Sequence, residues 1–372
     1  MKIGLDVSAV PLRPAGAGRY VAELAGLLAQ RQSPLRVSSR RGDEQRWRDL
    51  GIAEVRGVVP SARPLRVAYE ALWAGHSSTV TGCDVWHGPH YTMPRRSSTP
   101  TVVTICDMTF FTNPEWHEST KVPFFRQAIR YAARHADGLV AISDFTRRQF
   151  LEIFPDAPLP HVAPLGVDLE RFRPETEFER SRSEGVPYIL CVGTLEPRKG
   201  LDVLIEGFTE VATEVDDVEL WIVGQLGWGV EEFRQRLSDH PFASRIKTLG
   251  YVDDAELPAL FRGAQVVAYP SRGEGFGLPV LEAMASGVPV VTTSGTVMAD
   301  IAGGHAHLVP IGDASALAAS CRSVLVEDLA TRRAWTAAAR THAETYTWSA
   351  CVDQHVVAYE SAVLQGRRRI GH

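Results

Sequence analysis

Short β-branched apolar runs alternate along this chain with longer stretches whose apolar residues recur every three or four positions. That is the pattern of parallel strands joined by crossover helices. In the first half, Lys2–Val7, Asp84–His87, Thr101–Cys106 and Gly138–Ile142 predict strands, and Arg19–Gln30, Leu65–Ala74, Val122–Ala136 and Asp144–Phe154 predict helices. The second half is more regular. There Tyr188–Val192, Glu219–Val223, Ile246–Thr248, Val266–Tyr269, Val288–Thr292 and Leu308–Pro310 are each followed by a turn and a helical stretch, which predicts a complete doubly wound sheet. Helical periodicity returns over Ala330–His342 and Ser349–Leu364, beyond what the second sheet needs.

Between the halves, Ala163–Pro187 carries prolines, glycines and dense charge with no lasting period, and reads as a linker. The expected division is an amino-terminal α/β domain over 1–165, completed by a terminal helix at about 349–366, and a carboxy-terminal α/β domain over 186–345. A chain of 372 residues exceeds the length over which one core usually grows, which agrees with two domains.

Composition narrows the class. With 45% hydrophobic and 22% charged residues the chain is globular rather than disordered or fibrous. A net charge of -5 argues against a general nucleic-acid binder, so any anion site must be local. The five cysteines are odd in number and include no C-x-x-C, which suggests neither a disulfide framework nor a zinc site. The opening residues run straight into a strand pattern, and no apolar stretch approaches the roughly 18 residues of a membrane span. A cytoplasmic protein is expected. Arg36–Arg48 and Arg63–Trp73 mix arginine with tryptophan, and are weighed as a surface for peripheral contact with the inner face of a membrane against plain solvated faces.

The chemistry concentrates in a few turns. Ser271–Gly287, read Ser-Arg-Gly-Glu-Gly-Phe-Gly-Leu-Pro-Val-Leu-Glu-Ala-Met-Ala-Ser-Gly, lies between two apolar runs. Pro279 suits a first helical position and Gly287 a helix stop, so a helix is predicted from about Pro279 to Ser286. The backbone N–H groups of Gly275, Phe276, Gly277 and Leu278 then sit at its positive end, a place suited to a diphosphate. Glu282 can accept paired hydrogen bonds from a ribose diol, and Glu274 can reach a sugar beyond the phosphates.

Gly193-Thr-Leu-Glu-Pro-Arg-Lys-Gly200 is a second strand-to-helix turn, and its Arg198 and Lys199 can neutralise a leaving diphosphate. Only four of the 39 basic residues are lysines, so Lys199 in a glycine turn stands out. In the first half, Gly16 and Gly18 open a helix after the first strand and could bring amides towards the same phosphates, although a plain turn fits equally well. Asp107 ends a strand, where it could bind an acceptor or sugar hydroxyl or simply close a turn. His87 and His90 have H-x-x-H spacing without a Cys or acidic partner, and are expected to line the cleft rather than hold zinc.

On these residues the chain resembles a retaining glycosyltransferase of family 4, with the GT-B architecture of two Rossmann-like domains whose parallel sheets face a central cleft. The resemblance covers essentially the whole length. Its marks are the turn near Gly18, Asp107, Ala141-Ile-Ser-Asp-Phe-Thr146, Pro164–Phe172, Gly193–Gly200, Gly250-Tyr-Val252, the pair Glu274 and Glu282 spaced as E-x7-E, and Tyr346-Thr-Trp348. It implies that Arg198 and Lys199 hold the diphosphate, that Glu282 holds the ribose, and that Glu274 with the amides of Phe276 to Leu278 engages sugar and phosphates. Tyr251 and Val252 would line the base pocket. The resemblance also implies that no metal or other cofactor is needed, the nucleotide-sugar being a substrate.

Thr104–Phe110 is most similar to mannosyltransferase-like members, which points to GDP-mannose as donor and to a glycan, lipid-linked or small-molecule acceptor. Where the family usually has histidine before the strand-end aspartate, this chain has Cys106. The expected chemistry is front-face, retaining transfer in which the departing diphosphate helps deprotonate the acceptor. The alternatives are a sugar-nucleotide epimerase or phosphorylase built on similar domains, and a degenerate donor-binding subunit.

Overall fold

The computed structural model describes residues 1–31, 34–62, 65, 69, 74–95, 97–176 and 185–370. The chain divides into two units: Met1–Gly166 with Trp348–His372, and Val167–Thr347.

The first unit contains strands β1 (Ile3–Asp6), β2 (Leu35–Arg40), β3 (Glu54–Val59), β4 (Val85–Gly88), β5 (Thr101–Ile105), β6 (Gly138–Ala141) and β7 (His161–Val162). They pair in parallel in the order β3-β2-β1-β4-β5-β6-β7. The second unit contains β8 (Tyr188–Val192), β9 (Glu219–Val223), β10 (Ile246–Gly250), β11 (Val266–Tyr269), β12 (Val290–Thr293) and β13 (His307–Val309). These are also parallel, in the order β10-β9-β8-β11-β12-β13. Parallel strands covered on both faces are largely apolar, as the wholly buried β5, β8, β11 and β12 are, and the threonines of β5 and β12 enter the interior with their hydroxyls hydrogen-bonded, as Thr104 to Tyr20 and Thr292 to the Tyr269 carbonyl.

Hydrophobic patterning did not find β2 or β3. Strand β2 reads Leu-Arg-Val-Ser-Ser-Arg, yet Arg36 is buried because Glu54 accepts from its Nε at 2.7 Å and the Ser78 carbonyl from its Nη1 at 2.6 Å. Paired in this way a charge can occupy a strand interior, and the strand then looks like a loop in sequence. Within Arg36–Arg48, Trp47 is buried and Arg40 and Arg46 both donate to the Val10 carbonyl, so these three side chains are engaged inside the first unit, while Arg41 and Arg48 are exposed. The Arg63–Trp73 stretch and the helix expected at Leu65–Ala74 lie, for the most part, outside the described residues. The linker expected at Ala163–Pro187 is shorter than the sequence suggests, because Phe172 is buried against Phe261 and the Val167 N–H donates to the Tyr346 carbonyl at 3.0 Å.

The terminal helix Trp348–Ile370 packs into the first unit on β4, β5 and β6, and a buried polar chain fixes it there. His355 Nδ1 lies 2.8 Å from the Cys351 carbonyl, which can only accept, so Nδ1 carries the proton and Nε2 accepts from Tyr20 Oη at 2.7 Å. Thr104 Oγ1 then donates to Tyr20 Oη (2.9 Å), His87 Nε2 to Thr104 (2.8 Å), and Tyr359 Oη to His87 Nδ1 (2.8 Å). His87 is therefore a neutral, wholly buried core residue rather than a cleft-lining one. His90 packs edge-on to Tyr91 and Phe125.

Burial pushes the His355 imidazole down to about 4, against a smaller opposing effect of the Cys351 carbonyl, and burial also holds His87 well below its ordinary value, with help from His355. The unfolded chain binds a proton at each ring near the ordinary 6.5, the folded chain only far below it. Stability supplied by the neutral rings is thus complete above pH 6.5 and is lost as pH falls towards 4. For His355 the linkage is about 3 kcal/mol. Denaturant titrations of the first unit's unfolding should show this loss between pH 7 and 4. A His355→Gln chain that loses as much stability over the same interval would contradict the assignment.

Candidate active site

In each sheet the chain works outward in one direction and then returns to build in the other, so the strand order reverses once. The reversal in the second unit lies between β8 and β11, and ligands of open α/β sheets bind beyond the carboxyl ends of strands at such a point. Two turns leave the sheet there, Gly193–Gly200 after β8 and Pro270–Gly277 after β11.

These turns are joined along their length. The Arg272 N–H donates to the Arg198 carbonyl at 2.8 Å, and Arg198 Nη1 donates to the Gly273 carbonyl at 2.8 Å. Arg272 also reaches the Pro197 carbonyl and grips Asp202 with both guanidinium nitrogens, at 2.9 and 2.5 Å. Gly200 has φ +66°, and a β-carbon on it would run into the Pro270 carbonyl, so the close approach of the two turns requires glycine.

Glu274 lies at the centre of this arrangement. Its Oε1 accepts from Lys199 Nζ (2.6 Å), Ser271 Oγ (2.7 Å) and Tyr269 Oη (3.0 Å), and its Oε2 from Arg198 (2.5 Å). Burial by itself would raise the carboxyl, but Arg198 and then Lys199 outweigh it and hold Glu274 at about 2. Lys199 also donates to Tyr269 Oη at 2.9 Å, and Glu196 accepts from Arg198 at 2.7 Å. Two cations are therefore gathered against two carboxylates, with side chains only 14% and 11% exposed for Arg198 and Lys199.

The helix predicted from Pro279 begins one residue earlier, at Leu278, and runs to Ala285 with Gly277 at its cap. Gly277 has φ +102°, and a β-carbon there would lie 3.0 Å from Met298 Cγ, so the turn of Gly275 and Gly277 into the helix is sterically specified. In its first turn Pro279 has no N–H and the Val280 N–H donates to the Gly277 carbonyl at 3.0 Å, so the positive end of the helix is presented by the segment up to Leu278. Phe276 is buried edge-on to Tyr346, and Glu282 is 3% exposed within the helix. Tyr251 and Val252 follow Gly250, which has φ +67° at the end of β10.

The structure thus brings Arg198, Lys199, Glu274 and Gly275–Leu278 together. Patterning missed Tyr269, Ser271, Glu196 and the Arg272–Asp202 clamp. One signal was available: Tyr269 places a phenol at the end of an otherwise apolar buried strand, where it needs a polar partner.

Gly16, Gly18 and Asp107 belong to the first unit, where the strand order reverses between β1 and β4. Gly16 begins the helix Gly16–Gln30 with φ +32°, and the Gly18 N–H donates to the Ala15 carbonyl at 2.7 Å. Asp107 Oδ1 accepts from both the backbone N–H and the hydroxyl of Thr109, so the residue does close a turn. Cys106 is buried, and burial followed by the Asp107 charge pushes its thiol well above the ordinary range, which leaves it inert as a nucleophile. Among the described residues no helix is long and apolar enough to cross a membrane, and no group of three or more His, Cys, Asp or Glu is placed to hold a metal ion.

Residues 186–327 match the family model described as glycosyl transferases group 1, and residues 14–171 match that of glycosyltransferase family 4. The chain is 30% identical over 288 residues to the O-antigen chain mannosyltransferase B of Escherichia coli, covering 74% of each protein. It is 32% identical over 256 residues to the phosphatidyl-myo-inositol mannosyltransferase of Mycobacterium leprae, covering 68% of this chain and 66% of that one. Among solved structures, Anabaena HepE in complex with UDP and glucose superposes with a TM-score of 0.76 at 20% identity, over 96% of this chain and 98% of the other.

Proposed function

We propose, from the premise that this chain belongs to the family 4 glycosyltransferases, that it moves mannose from GDP-mannose to a glycan or lipid-linked acceptor with retention at the anomeric carbon. The fold is GT-B and the activity is glycosyl transfer. Mannose as the transferred sugar is supported by the two mannosyltransferase relatives, and a lipid-linked acceptor by the second of them.

The observation that carries the reading is the convergence of Arg198 and Lys199 on the turn leading to the helix Leu278–Ala285. As the bond from sugar to diphosphate breaks, negative charge builds on the leaving oxygen. Fixed cations and helix amides stabilise that charge more than they stabilise bound substrate, which lowers the barrier rather than only tightening binding. Such cations do the work a metal does elsewhere, so the reading needs no metal. Glu274 orients both cations, Glu282 faces the ribose, Tyr251 and Val252 the base, and Asp107 an acceptor hydroxyl. The chain works in the cytoplasm, at the inner membrane face when the acceptor is lipid-linked.

The test is thermal unfolding of the purified chain with GDP-mannose, UDP-glucose and ADP-glucose, followed by product analysis. A ligand at a hundred times its Kd stabilises by about 2.7 kcal/mol. GDP-mannose alone should do so, and the product should be an α-mannoside plus free GDP. Stabilisation by another nucleotide-sugar would overturn the donor assignment, a β-mannoside the retention, and an epimerised sugar nucleotide without a glycoside the transferase reading itself.

A further inference from the structure

Four polar side chains form one hydrogen-bonded chain at the carboxyl end of β5. Tyr91 Oη accepts the Asp107 N–H at 3.0 Å, Asp107 Oδ1 accepts from the Thr109 hydroxyl at 2.7 Å, and Thr109 Oγ1 lies 2.8 Å from His117 Nε2. A carboxylate only accepts, so the single threonine proton goes to Asp107 and the next bond must be donated by the ring. His117 is thereby fixed as the Nε2–H tautomer, the second-neighbour control by which an imidazole is usually oriented. Phe110 stacks on the imidazole at 3.9 Å and Phe125 on Phe110 at 4.5 Å, so aromatic faces wall the chain on one side.

Tyr91 supplies an independent sign. Its backbone is held at φ +65°, a left-handed conformation that costs a bulky residue about 1–3 kcal/mol. The Tyr91 N–H donates to the Thr104 carbonyl at 3.0 Å, and the ring is 2% exposed, so the surroundings enforce the strain. Glycine would adopt this conformation freely. It would bring no hydroxyl to receive the Asp107 N–H.

We propose that Tyr91, Thr109 and His117 are positioning residues that aim Asp107 at a hydroxyl of the acceptor, whose chemical class is a polyol ring. The inference rests on reading Asp107 as acceptor-binding. Cys106, buried and without a charge to offer, takes no part in it.

The test uses the full chain, with GDP-mannose as donor and octyl α-mannoside as the acceptor probe. Calorimetry with GDP reads the donor side separately, and 15N spectra of histidine-labelled protein read the tautomer. Thr109→Val keeps the side chain's shape and removes both hydroxyl bonds. It should raise KM for the probe at least tenfold, leave GDP affinity within twofold, and release His117 from the Nε2–H form. Thr109→Ser should restore KM, and His117→Gln, which keeps an N–H at the same place, should retain more activity than His117→Leu.

An unchanged KM in Thr109→Val, a wild-type Nδ1–H tautomer, or a loss of GDP affinity in step with the loss of transfer would each overturn the proposal. A wild-type chain that binds GDP and transfers nothing to the probe would overturn the acceptor reading beneath it, while the spectrum would still decide the tautomer.

Discussion

Glu274→Ala should abolish measurable transfer while tightening the binding of free GDP. Glu274 neutralises Arg198 at 2.5 Å and Lys199 at 2.6 Å, both largely out of solvent. Removing one partner of such a cluster leaves a charge buried and uncompensated, which costs about 3–5 kcal/mol of stability. A diphosphate entering the variant meets cations with one carboxylate fewer to compete with it, so GDP should bind about tenfold more tightly and restore much of the lost stability.

Transfer fails for a different reason. Without Glu274, Tyr269 and Ser271 lose the acceptor that organises them, and Lys199 is no longer held in one place. Positioned charge, rather than charge as such, lowers the barrier. Calorimetry with GDP beside a transfer assay separates the two effects, and weaker GDP binding in the variant would refute the counter-ion role. Acid provides a second view. The Glu274 carboxyl sits near 2 in the folded chain against an ordinary 4.5, so the stability it supplies is whole above pH 4.5 and falls away as pH drops towards 2.

Lys199→Ala should lower the rate of transfer by about 10²- to 10³-fold, the scale for removing one preorganised donor from a developing anion. GDP affinity should fall less, because Arg198 and the helix amides still hold the ground-state diphosphate. Lys199→Arg should rescue little. The lysine stem runs past Gly193, where a β-carbon would lie 3.4 Å from Lys199 Cε, and a planar guanidinium has neither the slimness nor the point charge of an ammonium. Single-turnover rates decide the matter, and undiminished turnover in Lys199→Ala would remove this residue from the mechanism.

The two halves of the chain were unequally legible in sequence. In the second unit β8, β9 and β11 have the limits their apolar runs predict, because a strand covered on both faces can use little but Val, Ile, Leu and aromatic residues. In the first unit β2 and β3 were missed, since Arg36 and Glu54 neutralise each other across adjacent strands and patterning sees only two charges.

The site divides along the same line. The glycines and cations of the two turns were visible because backbone conformation demands glycine and because lysine is scarce elsewhere. The hydrogen bonds that occupy Glu274 were not visible, since Tyr269, Ser271 and Arg198 acquire their roles only when β8 and β11 lie side by side. His87 was misplaced for a related reason: its partners Thr104 and Tyr359 stand 17 and 272 positions away in the chain.

Because Trp348–His372 belongs to the same unit as Met1–Gly166, the first unit is discontinuous and the second is in effect an insertion within it. On the ribosome the amino-terminal sheet must therefore wait for the helix that packs on β4, β5, β6 and β7 while the whole of Val167–Thr347 is made. Chains interrupted within Trp348–His372 would lose the older unit rather than the newer one, and a chaperone guarding this protein during synthesis would have to recognise the sheet made first.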